Sequence, residues 1–137
     1  MISYKQEATH NSPGIYLSTD ENRFELSGKS APEDVRGLYY PVIEWVSAFG
    51  EELKTANHFT ERNPLVFKID LVYFNSSSAK FLFDIFTTLK DIQDVGTPVV
   101  VEWHYDDEDT DLREAGEDLA MITGIDFKYC PKNTNTL

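Results

Sequence analysis

The chain has 137 residues, 41% hydrophobic and 13% aromatic, a composition that builds one folded domain with a real core and excludes a disordered chain. Its 12 basic and 24 acidic residues leave a net charge of −12, which repels phosphate backbones and anionic membrane faces and so argues against nucleic-acid and membrane partners. No apolar run approaches the ~18 residues of a membrane span, and the opening residues lack the basic start and apolar block of a secretion signal. Cys130 is the only cysteine, so the expected location is a reducing cytoplasm.

No internal repeat or long Pro/Gly/Ser linker divides the sequence. One domain over 1–137 is expected, ordered over about 3–130, with 131–137 as a tail. Residues 3–8 are a candidate edge strand. "GIYLS" (14–18) and "NRFELSG" (22–28) alternate apolar positions around the turn "TDEN" (19–22), which predicts a β-hairpin. "SAPE" (30–33) matches a capping box between Ser30 and Glu33. Val35, Leu38, Val42, Trp45, Phe49 and Leu53 then recur at helical spacing, with Pro41 expected to kink the helix or divide it in two.

After a polar connection at 55–64, "LVFKIDLVYF" (65–74) is apolar on nearly both faces, with Leu65, Phe67, Ile69, Leu71 and Tyr73 on one of them. Such a strand belongs in the middle of a sheet. "KFLFDIFTTLKDIQDVG" (80–96) repeats Leu82, Ile85, Leu89 and Ile92 and stops at Gly96. "PVVVEWHY" (98–105) is a second interior strand, the acidic residues 106–111 open a third helix to about Thr123, and "IDFKYC" (125–130) is a last short strand. The pattern predicts an α/β fold: an N-terminal β-hairpin, then a mixed sheet with parallel β-α-β crossovers over 65–104 and 98–130 and about three main helices.

Chemical motifs are sparse. His10, His58 and His104 lie far apart, and no nucleophile elbow, HExxH, P-loop or Gly-rich phosphate cradle is present. "DDEDTD" (106–111) fails as a calcium loop, because the sixth position counted from Asp106 is Asp111 where a glycine is needed, although the twelfth is Glu117. Carboxylates at a helix start are favoured by the helix dipole, and a partner-facing acidic patch is the other reading of this run.

Between the central strand and the second helix stands "YFNSSSAKF" (73–81), with three hydroxyls in series. Asn75 or Ser76 serves as the helix cap. The same first turn, with unpaired backbone donors, also favours a phosphoryl group carrying about −1.5 to −2 charges. Residue physics leaves both readings open.

Four segments, "RFELSGKSAPEDV" (23–35), "YYPVIEWV" (39–46), "YFNSSSAKFLFDIF" (73–86) and "VVVEWHYDDEDTDLREAGEDLA" (99–120), together resemble the SiaC family of bacterial regulatory phosphoproteins. That family is related in architecture to STAS-type anti-sigma-factor antagonists, so the resemblance implies a STAS-like sandwich. It implies no catalytic residue, cofactor or metal, but a switch written by a cognate Ser/Thr protein kinase and erased by a PP2C-type phosphatase. In its unphosphorylated form such a protein binds and activates a diguanylate cyclase, promoting cyclic-di-GMP signalling and biofilm formation.

The family's acceptor is a Thr directly after the junction Asn, which carries over to Ser76, with Ser77 and Ser78 as alternatives. Asn75 then orients the turn, Ser77 and Ser78 satisfy the helix start, and the partner-binding surface comprises Asn75, Ser76, Ser77, Ser78, Lys80 and Asp84. Three rival functions are an anti-sigma-factor antagonist acting on a kinase, a constitutive interaction module, and a small-molecule or metal-binding enzyme using residues 102–111.

Overall fold

The computed structural model describes residues 1–133. Strands β1 (Tyr4–Gln6), β2 (Gly14–Ser18) and β3 (Arg23–Ser30) are followed by helix α1 (Val35–Ala56), β4 (Leu65–Phe74), α2 (Ser76–Asp94), β5 (Val99–Asp106), α3 (Thr110–Thr123) and β6 (Asp126–Lys132). All six strands form one sheet in the order β1-β2-β3-β4-β5-β6. The hairpin is present, with β1–β2 and β2–β3 antiparallel. Both expected crossovers are parallel, and a third joins β3 to β4 through α1. The predicted α/β architecture holds.

The strands bury one alternating set of side chains, including Ile15, Leu17, Phe24, Leu26, Phe67, Ile69, Val101 and Trp103. Against that face pack the helical stripes Leu38, Val42, Trp45, Phe49 and Leu53 of α1 and Leu82, Ile85, Leu89 and Ile92 of α2. Helix α3 sits close over β5. The Trp103 Nε1–H donates to the Leu112 carbonyl at 3.0 Å, and a Cβ added at Gly116 would stand 2.5 Å from that same nitrogen. Among the described residues no helix covers the opposite face of the sheet, and its side chains are mostly charged or polar (Lys68, Asp70, Glu102, His104, Lys128). Among the described residues no helix is long and apolar enough to cross a membrane.

Several expectations need correction. Ser30 and Glu33 form no capping box. Ser30 remains in β3, in register with Phe74, and Asp34 caps α1 by accepting from the Gly37 amide at 3.0 Å. Pro41 does not divide α1, which runs unbroken over 22 residues, although the ring gives no N–H to the Gly37 carbonyl one turn earlier. Helix α2 starts at Ser76, four residues before the apolar periodicity becomes visible. The C-terminal strand extends to Lys132, so residues 131–132 are not tail; Pro131 is accommodated there because β6 is an edge strand. Of the expected tail, 134–137 lie outside the described residues.

The largest correction concerns β4. Its register against β3 shifts between Gly28 and Lys29, so that Gly28 faces Leu71 but Lys29 faces Tyr73. Val72 is the extra residue, a bulge that slips the alternation by one. Tyr73, which alternation groups with Leu65, Phe67, Ile69 and Leu71, is exposed while those four are buried, and Phe74 turns inward to meet Trp103 edge-on at 5.9 Å.

Candidate functional site

The bulge leads directly into the serine run. Asn75 keeps an extended backbone, its N–H donates to the Ser30 carbonyl at 3.0 Å, and its Oδ1 accepts from the Ser78 amide at 2.9 Å. Asn75 is therefore the cap, and Ser76, Ser77 and Ser78 are the first three residues of α2. The amides of Ser76 and Ser77 have no helical acceptor, as at any helix start.

The three hydroxyls have different fates. Ser78 is fully buried. Its Oγ–H donates to the Ser30 carbonyl at 3.0 Å and its oxygen accepts from Ser30 Oγ at 2.8 Å. With the Ser30 proton committed to Ser78, the 2.5 Å contact between Ser30 Oγ and the Tyr39 hydroxyl has Tyr39 as donor. Burial pushes the Tyr39 phenol above its usual pKa, against a smaller opposing effect of the Ser30 hydrogen bond. The ring of Tyr39 stacks on Phe81 at 5.7 Å. This buried triad ties the end of β3, the first turns of α1 and the start of α2 to one point. Ser78 thus supports β3 and α1, not the helix amides as expected, and its hydroxyl is out of reach of a kinase or a partner in this conformation.

Ser76 and Ser77, by contrast, are exposed, and among the described residues none hydrogen-bonds either hydroxyl. Beside them the bulge presents Val72 at 67% exposure and Tyr73 at 50%. One helical turn beyond Ser76, Lys80 pairs with Asp84 at 3.0 Å on an exposed face that also carries Phe83. The first turn of α2 contains no acidic residue. Lys29 reaches the junction from β3, its ammonium 5.8 Å from the Tyr73 ring centre. The corner is an exposed hydroxyl platform at the positive pole of a helix, flanked by two lysines and a small apolar patch.

The acidic run is divided by the fold. Asp106 ends β5, Asp109 caps α3 by accepting from the Leu112 amide at 2.9 Å, and Asp111 lies in its first turn. Most of the run therefore serves the turn and the helix start. Glu102 and His104 precede the run on β5 and lie on the open face of the sheet, where the register sets His104 against Cys130 of β6. The two share no helix face, and it is the pairing of β5 with β6 that brings them together. Ser30 and Tyr39 were missed as partners of Ser78. The even-numbered alternation from Phe24 and Leu26 does place Ser30 on the core face, and that was the available signal.

Residues 6–132 match the family described as SiaC family regulatory phosphoprotein. An uncharacterized Pseudomonas aeruginosa protein is 31% identical over 119 residues, covering 87% of this chain and 88% of its own length. The apo-SiaC crystal structure from the same organism superposes with a TM-score of 0.81 at 28% identity, over 95% of this chain and 99% of that one. The crystal structure of the diguanylate cyclase SiaD in complex with its activator SiaC, also from P. aeruginosa, gives 0.82 at 27% identity, over 94% and 99%.

Proposed function

The chain belongs to the SiaC family of regulatory phosphoproteins, and on that premise we propose that it is a non-enzymatic switch whose phosphoacceptor is Ser76. A cognate Ser/Thr kinase writes the mark, a PP2C-type phosphatase removes it, and the unphosphorylated form docks on and activates a diguanylate cyclase in the cytoplasm. The observation that carries the assignment is the solvent-exposed Ser76 hydroxyl at the first position of α2, in a turn without carboxylates. A SiaC protein of the same fold activating a cyclase supports the choice of partner.

The docking surface on this reading comprises Tyr73, Ser76, Ser77, Lys80, Phe83 and Asp84. With Ser76 unmodified, Lys80 and Asp84 neutralise each other there. A phosphoryl group one turn from Lys80 adds about −1.5 to −2 charges and competes with Asp84 for the ammonium. The apolar rim stays in place while the charge at its centre goes from near zero to negative. Losing one charge-assisted contact of about 1.5–3 kcal/mol weakens a complex tenfold or more.

The test is intact-mass and fragment-ion analysis after incubation with ATP and the cognate kinase, paired with cyclase binding. One phosphate on Ser76, absent from Ser76→Ala, together with at least about tenfold weaker cyclase binding by the phosphorylated protein, is the expected result. A phosphate confined to Ser77 would sink the acceptor assignment. Equal binding of the modified and unmodified forms would leave a constitutive interaction module. Recovery of a kinase alone as the bound target would favour the anti-sigma-antagonist role.

A further inference from the structure

The open face of the sheet carries a cluster that the switch does not use. Glu102 and His104 are two residues apart on β5, and a strand period of two points both side chains to that face. Parallel pairing with β6 then sets Cys130 beside His104. One donor atom from each of the three lies within 4.8 Å of the others, and all three residues are half-buried. His104 Nε2 and Glu102 Oε1 are 3.1 Å apart. Neighbouring ligands of a tetrahedral zinc ion stand about 3.3–3.6 Å apart, from bond lengths of about 2.0–2.3 Å. The carboxylate and imidazole are already near that separation, and rotation of the cysteine side chain brings the sulfur in.

We propose that Glu102, His104 and Cys130 form a binding site for a zinc-class divalent cation, with solvent completing the coordination. The donor set decides the class: a thiolate and an imidazole select zinc or cobalt over calcium and magnesium, which take oxygen ligands. The set also balances charge, since one thiolate and one carboxylate neutralise a divalent ion. That balance matters here, because Lys68 and Lys128 stand in register on either side of Glu102 and oppose a bare cation. Rigid strands fix the spacing, so little ordering is needed on binding. The ion would clamp β6, the C-terminal edge strand, to β5. An ion pair already crosses the same face, from Lys132 of β6 to Asp70 of β4.

The inference is independent of the phosphorylation site. Cobalt(II) titration of the full chain, with the thiol kept reduced by a non-chelating phosphine, reports the site through the sulfur-to-cobalt charge-transfer band. Binding of one equivalent with that band, displaced by zinc, is expected. Cys130→Ser should abolish the band, and both Cys130→Ser and His104→Ala should weaken binding by about 100-fold, at or beyond the upper end of the ~10–100-fold loss of a supporting partner. His58→Ala should change nothing. Glu102→Gln keeps the sulfur and imidazole and should retain the band at weaker affinity, a second check should either deletion disturb the fold. Zinc should also raise Tm in the wild type and not in Cys130→Ser. Absence of the band in the wild type, or zinc affinity that survives His104→Ala, overturns the site.

Discussion

The start of α2 and the start of α3 share a backbone plan. In each an Asx side chain accepts from the third helical amide, Asn75 from Ser78 and Asp109 from Leu112, both at 2.9 Å. In each a hydroxyl residue follows at the first helical position, Ser76 or Thr110. Their electrostatics are opposite. Around Thr110 stand Asp106, Asp107, Glu108, Asp109 and Asp111, so the positive pole of α3 is already compensated by carboxylates. The first turn of α2 has none, and its cap is a neutral amide. Cap geometry therefore does not distinguish a phosphoacceptor from an ordinary helix start. What distinguishes them is the pole left uncompensated, because that is where an added anion gains most from backbone and dipole.

The comparison breaks most violently inside the serine run itself. An acidic residue two positions after Ser76 meets the closed triad instead of solvent. Ser78→Asp places a carboxylate against the Ser30 carbonyl in a fully buried site and removes one of the two donors that carbonyl uses. We expect a loss of about 3 kcal/mol or more, read as a Tm lower by about 10 °C. Ser76→Asp, on the same turn, should show no such loss. Comparable melting of the two variants would mean that the buried triad does not hold the start of α2.

Next in size are the caps. Asn75→Ala and Asp109→Ala each leave one helix amide without its acceptor, at a cost of about 1 kcal/mol. Asp109→Ala also removes a charge from the pole, so its cost should shrink with added salt while that of Asn75→Ala stays level. Urea denaturation of both variants at low and high salt checks this. A salt-dependent cost at Asn75 would show that the α2 pole interacts with charges outside its first turn.

How much of this was readable beforehand follows from the range of the interactions. Periodicity found the stripes of α1 and α2 and most of the alternation of β4, because burial on one face imprints a local repeat. The Asn75 cap was one of two offered by the junction, for the same local reason. Tyr73 was grouped with Leu65, Phe67, Ile69 and Leu71, and it leaves that face because the Val72 bulge depends on how β4 meets β3; nothing in "LVYF" marks it. Ser30 failed as a helix cap because its backbone belongs to a ladder with β4, and Ser78 is buried where it meets Ser30, which in turn holds Tyr39. The approach of Cys130 to His104 is likewise a matter of register between strands. Local chemistry was legible, and long-range pairing was not.

The smallest effect tests the electrostatic contrast most directly. Ser76→Asp puts a carboxylate at the uncompensated pole of α2 and should raise stability by about 0.3–1 kcal/mol at low ionic strength. Thr110→Asp puts the same group at the same position of α3, among five carboxylates, where mutual repulsion offsets the dipole and no gain is expected. In about 1 M salt the Debye length falls to about 3 Å, and the difference between the two variants should largely vanish. Chemical denaturation of the pair at both ionic strengths resolves it. Equal shifts at low salt would mean that the open amides, and not the neighbouring carboxylates, set the preference for an anion. Ser76 would then hold no electrostatic advantage over Thr110, and only its apolar flank and Lys80 would mark the α2 corner as the switch.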